Sequence, residues 1–438
     1  MSQATNYNVA DADMHFNDSW TQFKADWRPR RNVVVRNNFN VLTSNRLWRN
    51  VETYTYVPAT NLVNRTDFIE ILHDQLQFGE HAEATISTSP GGHTNTTSFG
   101  FDYSWTRFQH TNNSPYGGAS AVPLGVPDPG LFLNLAGTSK DFRSRQDQYS
   151  AFAENRLVLT RALSLVGGLR MDHYDVERLA QRTTTTATRS FTPVNWRGGA
   201  VYALRSDLSL YGQYATATDA VGTLLTLSPA QQLFDLTPGR QVEAGIKQSL
   251  ANGRADWAVA GYHIVKERLL VPDPNNPTLR MQIGQQSSKG VEMSGAVTVG
   301  GGLRVDANMA LLDARYDDFT ELVAGVLTQW AGNTPTIIPE RVGSLWATWN
   351  LPQRLQVQGG VRYIGKRYLN NANTATTPSA TIVDAGIRRQ VTNAMSLDLR
   401  ATNLFDTLYL QNISGSPVPL RGRFGAPRIV ELTLITRF

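Results

Sequence analysis

The chain of 438 residues contains no cysteine. That absence excludes a disulfide framework, a thiolate zinc site and a cysteine nucleophile together. It also suits export through an oxidising compartment, where a free thiol is a liability. No run of about eighteen apolar residues occurs, so an ordinary transmembrane helix is excluded. A membrane barrel stays open, because its strands alternate and average to a polar composition, and the mean hydropathy is −0.30. Charged residues make up 18% of the chain, below the roughly 25% of soluble domains. The opening MSQATNYNVADADMHF lacks a basic start, an apolar core and a small-residue cleavage site, so it reads as no signal peptide. The expectation is a chain that begins inside a longer protein.

Catalytic patterns are also missing. The sequence holds no HExxH, GxSxG or GxxxxGK[ST]. Its histidines, His15, His73, His81, His93, His110, His173 and His263, show no metal-ligand spacing on a single element. No enzyme activity, cofactor or metal site is expected.

What the sequence does contain is alternation. Leu355, Val357, Gly359, Val361 and Tyr363 share one parity, against Arg354, Gln356, Gln358, Gly360 and Arg362. Leu303, Val305, Ala307, Met309 and Leu311 alternate with Arg304, Asp306 and Asn308, and Leu397, Leu399 and Ala401 with Ser396, Asp398, Arg400 and Thr402. Successive strand side chains point to opposite faces, so each segment is a strand with one apolar and one polar face. A soluble sandwich has the same local pattern; the connections separate the two. Tight turns at 28–31, 90–92, 160–162, 205–206, 251–253, 300–301, 351–352 and 391–393 alternate with polar stretches near 109–145, 178–188, 218–238, 268–279, 317–335, 368–379 and 403–425. Short turns on one side and long loops on the other are the habit of transmembrane barrels. About seventeen strands are expected, with both the first (18–27) and the last (426–438) running toward the short-turn side. The last strand, ending IVELTLITRF, places Val430, Leu432, Leu434, Thr436 and the terminal Phe438 on one face.

Five segments, in order along the chain, resemble the TonB-dependent siderophore receptors of Gram-negative outer membranes. They are SLVGGLRMDHYD (164–175), LTPGRQVEAGIKQ (236–248), SSKGVEMSG (287–295), GNTPTIIPERVGSLWATW (332–349) and ATNLFDTLY (401–409). The resemblance implies an all-β fold: a transmembrane antiparallel β-barrel with about 17 of an expected 22 strands and no plug domain. Residues 1–17 are expected to be a loop or strand remnant at a truncated start, and 18–438 the carboxy-terminal portion of the receptor barrel. It further implies a bacterial outer-membrane location and uptake of a ferric siderophore. Energy would come from the TonB–ExbB–ExbD system through a plug that this chain lacks. A passive porin-like channel, a non-functional fragment and a soluble β-rich binding protein are the alternatives.

On that reading, Arg170, Asp172, Glu243, Lys247, Glu292, Arg304, Asp306, Arg362, Asp398, Arg400 and Glu431 share the polar parity and line the lumen. Tyr116, Phe132, Trp330, Arg367, Tyr368 and Tyr409 are the outer-loop candidates for ligand contact. Trp48, Tyr54, Tyr56, Tyr202, Tyr211, Tyr214, Trp346 and Trp349 are expected in the aromatic girdles or in packing. The net charge of +5 is scattered rather than clustered. It therefore fits lipopolysaccharide phosphates and anionic ferric complexes better than nucleic acid.

Overall fold

The structure, a computed structural model, describes residues 5–219, 235–272, 280–282, 284–414 and 421–437. One antiparallel sheet of 19 strands dominates it. Two of these, Ala119–Pro123 and Thr185–Phe191, are short and pair only with outer parts of longer strands, which leaves seventeen that form the wall. In chain order they are β1 (Asp13–Arg30), β2 (Val33–Val57), β3 (Leu62–Thr88), β4 (Asn95–Asn112), β5 (Ser139–Val158) and β6 (Leu163–Ala180). Then follow β7 (Val194–Arg205), β8 (Leu208–Thr218), β9 (Pro238–Leu250), β10 (Ala255–Glu267), β11 (Gln285–Val299) and β12 (Leu303–Asp318). The last five are β13 (Arg341–Leu351), β14 (Leu355–Ile364), β15 (Ala380–Gln390), β16 (Met395–Thr402) and β17 (Ile429–Thr436). Each pairs antiparallel with its neighbour in sequence, from β1–β2 through to β16–β17. β1 and β17 therefore run the same way, and β1 begins at Asp13, ahead of the expected start near residue 18.

Register fixes the two faces. Val259 lies opposite Met293, Met293 opposite Met309, and Ala307 opposite Leu345, which lies opposite Val361. With Phe99, Leu169, Trp196, Val242, Leu399 and Leu432 this parity presents an exposed apolar face. Through the middle of the strands the neighbouring parity carries the ionised groups, while toward the long-loop end charges such as Arg107, Arg143 and Arg145 also stand on the outward parity. An apolar face left outward over the whole wall is stable only against lipid, and a closed or continuous ladder is what satisfies backbone groups there.

The turns at the short-connection end use backbone that only a few residues tolerate. Gly91 and Gly92 (φ 57° and 83°) reverse the chain between β3 and β4, and Asn252 and Gly253 (φ 56° and 84°) do so between β9 and β10. Loop lengths do not sort as strictly as the sequence suggested. β2 and β3 meet at the opposite end through Pro58–Asn61 alone. These strands are 25 and 27 residues long, whereas about 9–11 residues cross a bilayer. Here the chain rises beyond the membrane as paired strand, so no long loop is needed at its tip.

That tall hairpin carries the most buried apolar packing among the described residues. Val51 and Phe68 are 1% and 0% exposed and pack with Val9, Phe132 and Leu133. Tyr7, Val63 and Val122 form the adjoining cluster. Arg65, itself buried, ties the pieces together: Nη1 donates to Tyr7 O and Pro129 O, and Nε to Ser120 Oγ (2.8 Å). The terminal Phe438 lies outside the described residues, as do parts of the loops expected at 218–238, 268–279 and 403–425.

Candidate functional site

The eleven charged residues singled out in the sequence all fall on the face opposite the apolar one, as the strand registers show. Several of them are ion-paired, across strands or along one. Arg170 bridges Asp102 of β4 (2.7 Å) and Asp172 on its own strand (2.8 Å). Ser150 Oγ also donates to Asp172 (2.6 Å). Arg304 holds Asp306 (2.7 Å), and Arg362 holds Asp384 of β15 (3.0 Å). Asp398 receives Arg388 and, at 3.7 Å, Arg400, which lies in register with Glu431. Such pairs contribute little stability where half-exposed. At Asp172, Asp384 and Asp398, which are 4–8% exposed, removal of one partner would leave a buried charge alone.

A repeated contact explains why glycines punctuate this face. Tyr211 of β8 lies across Gly245 of β9, where a Cβ would come within 2.6 Å of its ring. Its hydroxyl donates to Glu243 (2.8 Å), and Lys247 sits 4.5 Å above the ring. Tyr262 covers Gly290, and Trp346 covers Gly360, in the same way. A flat ring laid over a neighbouring glycine fills the pleat without standing out from the wall. Tyr211 and Trp346 are therefore not girdle residues, because register turns both to the polar face. Trp48 joins them there, against His73 (5.3 Å). Tyr54 instead packs on Tyr7 (6.4 Å) above the membrane, and Tyr56 sits near the hairpin tip, bonded to Asn61. Tyr202 and Trp349 do stand on the apolar face near the short turns, Trp349 donating to Gly301 O (3.0 Å). Tyr214 stacks on Trp196 on the same apolar face, toward the long-loop end (5.0 Å).

The outer-loop candidates fall into two groups. Tyr116 and Phe132 belong to the loop between β4 and β5. Phe132 is packed on Phe68 (5.8 Å), and burial, reinforced by Asp141, pushes the Tyr116 hydroxyl above its ordinary pKa. The other four stand on loops that side-chain amides, backbone bonds and one guanidinium join into a rim. Trp330 Nε1 and Asn371 Nδ2 both donate to Glu321 Oε2 (3.0 and 2.8 Å). Asn333 Nδ2 donates to Asn371 O (2.8 Å), and Thr334 N to Asn373 Oδ1 (2.8 Å). Ile337 N donates to Tyr368 O (2.9 Å). Arg367 is buried and donates to Leu410 O and Gln411 O, carrying the rim on to the next loop. The Tyr409 ring lies over Gly425. Arg367 and Phe132 thus hold loops in place and present little free surface.

The N-L-F-D segment is a strand terminator. Asn403, 3% exposed with φ 49°, receives Thr407 N and donates to Thr407 O and Ala426 O, while its own N–H donates to Asp384 (2.8 Å). Asp406 receives Arg428 N (2.8 Å). One asparagine so fixes both ends of the last loop. What the sequence reading missed is a pair: His73 Nε2 and His110 Nδ1 lie 2.9 Å apart. The signal was present, since both residues are equidistant from the turn at Pro90–Gly92.

An extended antiparallel wall, apolar on one face and ion-paired on the other, with its rim of loops at one end, defines a transmembrane barrel of the outer-membrane type. The family model for TonB dependent receptor-like β-barrels matches residues 2–404. The chain belongs to that family, one of transport receptors, and its place is the bacterial outer membrane. It is similar to the ferrichrome outer membrane transporter/phage receptor of Escherichia coli K12, with 26% identity over 67% of this chain and 39% of the relative. The catecholate siderophore receptor Fiu of Escherichia coli O157:H7 is 22% identical over 96% of this chain and 57% of its own length. Among solved structures, the siderophore receptor PiuA from Acinetobacter baumannii superposes with a TM-score of 0.87 at 20% identity, over 99% of this chain and 66% of that one. The chain thus spans less than two thirds of the relatives it matches.

Proposed function

We propose that this chain is the wall and outer rim of a receptor that takes up a ferric siderophore, driven by the TonB–ExbB–ExbD system through a plug domain outside this sequence. The observation that carries the reading is the polar face opposite the lipid-facing one, where Arg170, Arg304 and Arg362 stand ion-paired on three strands of the wall. Family membership and the printed names of the relatives support the same substrate class. Arg170, Arg304, Arg362 and their partners would line the lumen, and the Trp330–Arg367–Tyr409 rim would frame the entrance. Lipopolysaccharide phosphates are proposed to meet the exposed Arg107, Arg143 and Arg145, which share the outward parity with Tyr103 and Tyr149. No catalytic step is assigned.

The test is radioactive iron uptake by cells whose only siderophore receptor is the whole protein, with and without TonB. The expected result is saturable uptake that disappears without TonB. Uptake that is unsaturable and indifferent to TonB would contradict the proposal and identify a passive channel.

A further inference from the structure

The short-turn end of the wall carries charge of one sign. The segments that join strands there hold Arg31, Arg161, Arg254 and Arg354, against a single carboxylate, Asp207. Asp207 is already engaged by Arg205 (3.0 Å) and Gln248 (2.9 Å). At the opposite end the loops carry Asp128, Glu321, Glu340 and Asp406 beside their basic residues. The fold thus leaves one boundary of the membrane basic, while both signs meet at the other.

The β1–β2 turn concentrates the effect. Arg28 and Arg30 close β1 and Arg31 opens the turn, all three exposed. None of the three has an ion-pair partner among the described residues, and the nearby Asp26 faces Arg36 (3.8 Å). The turn is also held in shape. Pro29 fixes its own φ. Asn32 is tied to Ser87 of β3, its Nδ2 donating to Ser87 O (3.1 Å) and Ser87 N donating to Asn32 O (2.9 Å). Guanidinium groups on a braced turn lose less freedom on capturing a ligand than they would on a loose loop.

Trp27, just ahead of the arginines, adds an apolar surface. Register runs from Trp27 to Val35, Ala84 and Phe99, so its ring stands on the lipid-facing side, 64% exposed. Phe23, on the same parity and farther from the turn, is as exposed. Tyr202, Trp257 and Trp349 mark the same boundary on later strands. An aromatic ring at headgroup level with cations just beyond it suits an interfacial lipid.

We infer that the β1–β2 turn is a binding site for an anionic glycerophospholipid of the periplasmic leaflet. Arg28, Arg30 and Arg31 take the phosphodiester, and Trp27 and Phe23 take the adjoining stretch of an acyl chain. Arginine's planar fork matches phosphate oxygens. Three such groups within four residues give a contact that the lone arginines of the other turns do not. A zwitterionic headgroup brings its own ammonium to the phosphate, so the same turn attracts it less. The inference rests on the periplasmic placement of the short turns and is independent of which complex the receptor carries.

The probe is spin-labelled phosphatidylglycerol, present as a small fraction in phosphatidylethanolamine nanodiscs that hold the purified whole receptor. Spin-labelled phosphatidylethanolamine is the comparison, and the ratio of the two immobilised fractions is read by electron paramagnetic resonance. The wild type is expected to prefer phosphatidylglycerol about fivefold or more, the effect of one or more arginines at an anionic headgroup. Arg28→Gln, Arg30→Gln and Arg31→Gln together should bring the ratio to within about twofold of unity. Lysine at all three positions keeps the charge and should retain part of the preference. Lys140→Gln with Lys366→Gln, both exposed at the long-loop end, should leave it unchanged. The ratio is read on folded receptor alone, so a lower yield of any variant does not alter it. Equal immobilisation of both lipids by the wild type, or a preference that survives the glutamine variant, would overturn the inference. So would displacement of the labelled lipid by inorganic phosphate at matched ionic strength, which would mark a site for free anions.

Discussion

Replacing Met293 by arginine is expected to destabilise the barrel in lipid vesicles by about 2–4 kcal/mol, while Ser294→Arg, one residue along, changes stability by well under that. Both sit in the middle of β11. Met293 is 40% exposed on the apolar face between Val259 and Met309, so an arginine there must lie in hydrocarbon or bend toward the headgroups. Ser294 looks onto a groove that also holds Asp256 and Asp306, where a guanidinium finds water and carboxylates. Denaturant unfolding in vesicles reads both numbers. Similar effects for the two variants would mean that neither face meets lipid.

A second large effect is expected from one methyl group. Gly360→Ala places a Cβ 1.7 Å from Trp346 Cε3, so the indole must leave the pleat it fills. Overpacking of this kind costs about 1–3 kcal/mol. The loss should be relieved when Trp346→Ala is added, giving a coupling of similar size in a double-mutant cycle. Strict additivity of the two substitutions would show that the ring does not occupy the glycine's place.

These two predictions mark what the sequence made legible. Parity alone told Met293 from Ser294, because a strand's side-chain period is two whatever its neighbours do. It did not tell a girdle tyrosine from a wall tyrosine. Tyr211 and Trp346 were placed by residue type, and only register shows each lying over a glycine of the next strand. For Trp346 the turn at 351–355 would have sufficed, since Gly360 is its mirror position. For Tyr211 and Gly245 a long loop intervenes, and no local rule gives its register. The outer rim was the least legible. The amides of Asn333, Asn371 and Asn373 staple successive loops together, and no pattern in the sequence marks those contacts. Such contacts depend on where strands end, which composition does not state. The tall β2–β3 hairpin went unrecognised for the same reason: strand continuing past the membrane has the same alternation as strand within it.

The account's central claim is a wall with its loops outside the cell and its tight turns inside. The natural absence of cysteine makes it directly measurable with single introduced cysteines and a maleimide on a polymer too large to cross the outer membrane. On intact cells, Val126→Cys and Val326→Cys, exposed at 85% and 65%, are expected to label. Arg161→Cys and Ser206→Cys, in the turns before β6 and β8, are expected to label only after lysis. Labelling of the turn positions on intact cells, or of all four positions alike, would contradict the topology on which the rest depends.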